Sequence, residues 1–219
     1  MNDDLILDGS SGGTGAPREQ HPVGTEIGVC VDIINLGERL EDFPGKPKRL
    51  SPKVAFVFMT GKKNAEGELF QLSKEYTFSK SDKGNLRKDL GAWRGTPLTD
   101  AEVEAGINLR QFLNKPVQLT ISGKTAKNGN TYSNITGIAP LMAVLLPHVP
   151  QLPQYTRAEF WEKRKQEYAD AAAEFKRQQA VANVARPAAP AVAAQVTDAQ
   201  AVAGMIAAEN AQQADLPPF

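Results

Sequence analysis

Three apolar runs follow one another at strand spacing between residues 25 and 79, and just beyond them the apolar period changes from two to nearly four. That switch restricts the fold more than any other feature of the chain. The first run, TEIGVCVDIINLG, is rich in β-branched residues and ends on glycine; the second, KVAFVFMT, follows the polar turn EDFPGKPKRLSP. The third, LFQLSKEYTFS, follows the loop GKKNAEGELF. Three strands joined by turns favour an antiparallel meander. In SKSDKGNLRKDLGAWRG, Leu86, Leu90 and Trp93 recur at helical spacing, Ser81 stands where an N-cap belongs, and Gly95 closes the element.

A second polar-capped stretch, TDAEVEAGINLRQFLNK, carries a capping-box spacing from Thr99 to Glu102. Two further strands, PVQLTISGK and TYSNITGIAP, flank TAKNGN, whose Asn128 and Gly129 form a hairpin signal. The order strand, strand, strand, helix, strand, strand predicts a mainly β chain. It is the order of a five-stranded OB-fold-like barrel with a helix between strands 3 and 4. The expected organisation is a flexible N-terminal segment at 1–22, the barrel at 23–146, a proline connector and C-terminal helix at 147–185, and a disordered tail at 186–219.

Net charge is zero over 219 residues, but its distribution is uneven. Residues 1–44 hold 2 Lys/Arg against 9 Asp/Glu, whereas residues 45–134 hold 16 against 8, so the centre is basic. A basic centre suits a polyanion partner, and equally a solvated surface or an acidic protein partner. Enzymatic chemistry finds little footing. SGKT at residues 122–125 has the end of a phosphate-binding loop without its earlier glycine, which falls on Gln118, and it lies in an expected hairpin. His21, His148 and the single Cys30 supply neither metal-ligand spacing nor a nucleophile pair, so no metal, cofactor or catalytic residue is expected. The longest apolar stretch, IAPLMAVLLP, is shorter than the roughly 20 residues of a membrane span, so no membrane association is expected. A lone cysteine and no leader suit a reducing cytoplasm.

The residues of YTFSKSDKGNLRKDLGAWRG, with the later GNTYSNITGIAPL, resemble a family of phage-encoded single-stranded DNA-binding proteins. The resemblance spans residues 25–141 and rests on Tyr76, Ser79, Trp93, Arg94, Gly95, Tyr132, Asn134 and Ile135. It implies an OB fold that coats single strands in the bacterial host cytoplasm. Such binding needs cations that track phosphates and rings on which bases stack. The expected contacts are Lys74 and Tyr76 on the third strand, Lys80, Lys83 and Arg87 in one row at the helix, Arg94 after Trp93, and Lys124, Lys127 and Tyr132 on the last hairpin. Strand alternation puts Lys74, Tyr76 and Phe78 on one face, which either fills the core or meets the ligand. Trp93 ends an apolar helical stripe and reads as core. Single-stranded RNA offers the same phosphates and base faces.

Pro147, Pro150 and Pro153 predict an extended connector before a long helix opened by a capping box from Thr156 to Glu159. Trp161, Tyr168 and Phe175 recur every seven residues, a stripe that packs on the domain or on a second copy, which leaves a homo-oligomer open. The chain ends ADLPPF, and Asp215, Leu216, Pro218 and Phe219 resemble the partner-docking tip of bacterial single-stranded DNA-binding proteins. Replication or recombination proteins are the partners this implies. One acid stands here where such tails carry several.

Overall fold

A computed structural model describes residues 19–79, 81, 83–125, 129 and 131–185. The chain divides into two compact units, 1–178 and 179–219; the fold below is that of the first, and the second is described only in the last turns of its helix. The tip residues Asp215, Leu216, Pro218 and Phe219, and Lys80 and Lys127, lie outside the described residues.

Five strands, β1 (Gly24–Glu41), β2 (Arg49–Lys63), β3 (Leu69–Thr77), β4 (Pro116–Thr125) and β5 (Thr131–Ala139), form one antiparallel sheet in the order β3-β2-β1-β4-β5. β1 is the shared strand. Its first part pairs with β4, as in Thr25 with Thr120, and from Gly28 onward it pairs with β2. One residue is extra between Cys30 and Asp32, and a second irregularity follows at Asn35, whose Oδ1 accepts from the Gly37 N–H at 3.0 Å. Such bulges bend and twist a strand. Helices α1 (Asn85–Arg94) and α2 (Asp100–Ala105) lie between β3 and β4, and α3 (Glu159–Ala185) follows the sheet.

The architecture is therefore mixed α/β where a mainly β barrel was expected. No hydrogen-bonded ladder joins β3 to β5 among the described residues, so the sheet is not closed into a barrel. Its two faces carry separate cores. On one, Val54, Phe56 and Phe58 of β2 pack with Leu119, Ile121 and Ile135, under Leu86, Leu90 and Trp93 of α1. On the other, Ile34, Leu36, Ala55 and Val57 pack against Trp161, with Phe160 and Tyr168 alongside. This explains KVAFVFMT. A strand covered on both faces cannot alternate apolar with polar.

The Thr99 capping box forms as expected, its hydroxyl accepting from the Glu102 N–H while the Glu102 carboxylate accepts from the Thr99 N–H. Ser81 caps nothing. α1 opens at Gly84 without a side-chain cap, and the Ser81 hydroxyl instead accepts from the Lys83 N–H. α3 begins at Glu159, three residues beyond the expected cap. Its Trp161, 5% exposed, and half-buried Tyr168 pack on the sheet, so these two rings of the seven-residue stripe meet their own domain. Among the described residues no helix is long and apolar enough to cross a membrane.

Candidate nucleic-acid interface

The motif on which the family resemblance rests turns inward. Tyr76 is 4% exposed, edge-on to Phe56 at 5.6 Å, and its hydroxyl donates to Asp89 Oδ2 at 2.8 Å. Burial, and then the Asp89 charge, pushes its phenol far above the ordinary value. Tyr76 therefore offers no face to a base, and the expectation that it stacks is corrected. Lys74 shares that inward face because residues 72, 74 and 76 alternate with outward ones. Its ammonium meets the same Asp89 oxygen at 2.7 Å and stands 5.5 Å from the Tyr76 ring, so its charge is neutralised within the fold.

Trp93 is core, as its stripe implied, with its indole N–H donating to the Pro116 carbonyl at 3.0 Å. Gly95 ends α1 in the left-handed region at φ 79°, where a side chain would be strained. Arg94 then folds back on the chain, forked on Glu102 and donating to the Pro97 carbonyl at 2.8 Å. The guanidinium and the Thr99 donors hold the Glu102 carboxyl down to about 2. Arg87 donates to the Leu98 carbonyl at 2.7 Å and to Asp100 at 2.6 Å. Of the expected row, Lys80 lies outside the described residues, Lys83 precedes α1, and Arg87, like Arg94, clamps the loop that carries α2. Arg87 and Arg94 are thus engaged within the fold.

The last hairpin differs. Ile121 and Ile135 point into the core as partners, so by alternation Ser122 with Asn134 and Lys124 with Tyr132 form cross-strand pairs on the opposite face. Lys124 is exposed with its Nζ 6.0 Å from the centroid of the half-buried Tyr132 ring. No acid pairs with Lys124 among the described residues. The hairpin is held from behind by the segment at residues 19–22. The Gln20 side-chain carbonyl accepts from the Ser133 N–H at 2.8 Å, and the Ser133 hydroxyl donates to the His21 carbonyl at 3.0 Å. His21 itself is buried against Phe70, with its Nε2 3.0 Å from the Thr60 hydroxyl.

The outward face of β1, β2 and β3 is closed to a polyanion. α3 covers its apolar centre, and the acids of the face take cations of the helix and of the segment just before it: Asp32 holds Arg157 at 2.7 Å, Glu75 holds Arg164 and Tyr168, and Glu38 holds Lys176 at 2.6 Å. Stripped of α3, this face would repel phosphate. Two other rings lie in the open instead. Phe78 is 53% exposed and Phe43 48%. β3 stops at Thr77, so Phe78 escapes the alternation that buries Tyr76. The sequence did hold a sign of Phe43: an aromatic locked into the turn FPGK cannot reach a core strand.

Among the described residues no group of three or more His, Cys, Asp or Glu is placed to hold a metal ion. In comparisons with known proteins, no family model matches the chain, and no curated protein matches it.

Proposed function

We propose that the chain is a phage-type OB-fold protein that binds single-stranded DNA without reading sequence, protecting it during replication or recombination in the bacterial host cytoplasm. On this reading the bent five-stranded sheet is an open form of the OB barrel, and the protein binds and does not catalyse. One observation carries the proposal: Lys124 and Tyr132 stand as cross-strand partners on the free face of the β4–β5 hairpin, an ammonium beside a ring. That pairing is what sequence-blind single-strand binding requires, and hairpins at this place in OB barrels contact oligonucleotides. The tip at Asp215, Leu216, Pro218 and Phe219 would carry partner proteins to the coated strand, its ring entering an apolar pocket and its acid meeting a basic rim.

The test is anisotropy of labelled oligothymidine titrated with the full chain at two salt concentrations, with duplex DNA and oligouridine as controls. Lys124→Ala is expected to weaken binding and lower the salt slope by about 0.7, the share of one phosphate on a single strand. Tyr132→Ala is expected to weaken binding about 5- to 150-fold with the slope unchanged, the mark of a lost stack. Equal affinity for duplex and single strand would overturn the proposal. A rival reading, a β domain that binds protein, has its own support: Met142, Val144 and Leu146, just after β5, are more than half exposed. It becomes the better account if oligonucleotides do not bind at all.

A further inference from the structure

We propose a second nucleic-acid contact, at the end of the sheet remote from the β4–β5 hairpin, formed by Phe43 and Lys46 of the β1–β2 turn with Phe78 and Lys83 beyond β3. The inference rests on the single-strand reading above and adds to it a site that the sequence argument did not choose. The two rings are the most exposed aromatics among the described residues, and each is fixed by backbone geometry. At Phe43 the chain makes a tight turn. Its carbonyl accepts from the Lys46 N–H at 3.0 Å, Pro44 occupies the second position, and Gly45 takes φ 74°, which a type II turn demands at its third. The Phe78 N–H donates to the Pro52 carbonyl at 2.7 Å, pinning that ring beside the foot of the same hairpin.

Register places them together. Thr77 pairs with Lys53 on β2, and Arg49, four residues earlier on that strand, pairs with Glu41 just before the turn. The two rings thus stand off one end of the sheet, with roughly 13 Å of strand between their anchoring pairs. Lys48 of the same turn is paired with Asp42 at 2.8 Å. Lys46 and Lys83 are exposed and have no acidic partner among the described residues, in contrast to Lys74, Arg87 and Arg94. Arg49, although bound to Glu41, keeps a side chain 70% exposed. Exposed rings beside cations that have no acidic partner among the described residues suit a flexible polyanion with base faces. An acidic peptide would use the cations and leave the rings wet.

The route this implies avoids the acidic, helix-covered face of β1 to β3. A single strand long enough to meet both ends uses the hairpin and the turn as two anchors.

The experiment uses the full chain with Phe43→Trp and, separately, Phe78→Trp, titrated with oligothymidines of about 8 and about 30 nucleotides, since single OB-type sites take roughly 4–16. Trp93 and Trp161 are 7% and 5% exposed, so the new indole dominates the solvent-accessible emission. Stacking should quench that emission in step with anisotropy, and Phe43→Ala with Phe78→Ala should weaken binding of the longer strand at least tenfold. If both oligonucleotides bind the wild type while the added indoles stay unquenched and the double variant matches it, the second contact is overturned and the single-strand reading stands. If the wild type binds neither, both fall. Should the double alanine variant fail to fold, the tryptophan variants, which keep a ring at each position, decide the matter.

Discussion

Glu41 is 8% exposed at the end of β1 and accepts from two cations, Lys53, whose side chain is 10% exposed, and the solvent-facing Arg49. Burial on its own would raise the carboxyl, but the hydrogen bonds from Lys53 and Arg49 outweigh it, and Glu41 titrates below its ordinary value. Glu41→Gln leaves the Lys53 ammonium buried without a counter-charge, with only neutral acceptors, an amide oxygen and the Thr77 hydroxyl at 2.8 Å, for company. Breaking a buried pair from one side costs about 3 kcal/mol or more. The expected result is a urea midpoint lowered to match at pH 7. Because the folded value lies below the unfolded one of about 4.3, the contribution is complete above that pH and is lost as pH falls through the folded value. The midpoints of wild type and variant should therefore converge under acid. A gap that persists at low pH would mean that packing and not charge holds this corner. Neither partner is marked in the sequence, where Glu41 and Lys53 look like ordinary surface charges of a turn and a strand. What buries them is the pairing of β1 with β2, a fact of register. The same reason hid the fate of Tyr76: alternation grouped it with Lys74 and Phe78, and only the position of α1 and the end of β3 at Thr77 decided that Tyr76 joins a core while Phe78 stays in the open.

α3 shows the same limit one level up. Its boundaries were nearly legible, from prolines before it and an aromatic every seven residues within it, because those signals are local. Its target was not, since the face it covers is assembled from β1 and β2 and becomes apolar on that side through the shift in register near Cys30. Trp161→Ala removes the largest side chain at this contact and should cost about 3–5 kcal/mol if the helix stays docked, less if it lifts away. Hydrogen exchange separates the cases: lifting should expose the amides of α3 while those of β4 and β5 keep their protection. The acids beneath the helix make a further demand. Binding of oligothymidine should be unchanged or weaker in this variant, because uncovering Asp32, Glu38 and Glu75 adds negative surface. Tighter binding would show that α3 masks a nucleic-acid face, and the two-anchor route would then be wrong. Strand order, the helices after β3 and the two hairpins were readable from period and turn chemistry; closure of the sheet was not, because it depends on how β3 and β5 meet.

At the scale of the whole molecule, the unpaired edges of the sheet are tied by a piece of chain with no regular structure. Residues 19–22 reach both sides of the gap: Glu19 accepts from the Ala65 N–H in the β2–β3 loop, Gln20 and the His21 carbonyl hold Ser133 on β5, and the His21 ring enters between Thr60 and Phe70. Nδ1 lies 2.7 Å from the Pro22 carbonyl, which can only accept, so Nδ1 donates there, and Nε2 meets the Thr60 hydroxyl at 3.0 Å. His21→Ala leaves that hydroxyl, on a residue with 0% exposure, without its partner and empties the space beside Phe70. A loss of about 1–3 kcal/mol is expected from the unsatisfied group. Its location matters more than its size. If residues 19–22 hold the β5 edge to the β2–β3 loop, amide exchange in this variant should rise at β5 and at residues 60–70 well before it rises in the paired centre of β1 and β2. Oligothymidine affinity should fall with it, because Tyr132 neighbours Ser133 and loses its backing. Uniform destabilisation with unaltered order of exchange would instead make His21 an ordinary core residue, and the hairpin would have to keep its arrangement of Lys124 and Tyr132 by cross-strand pairing alone.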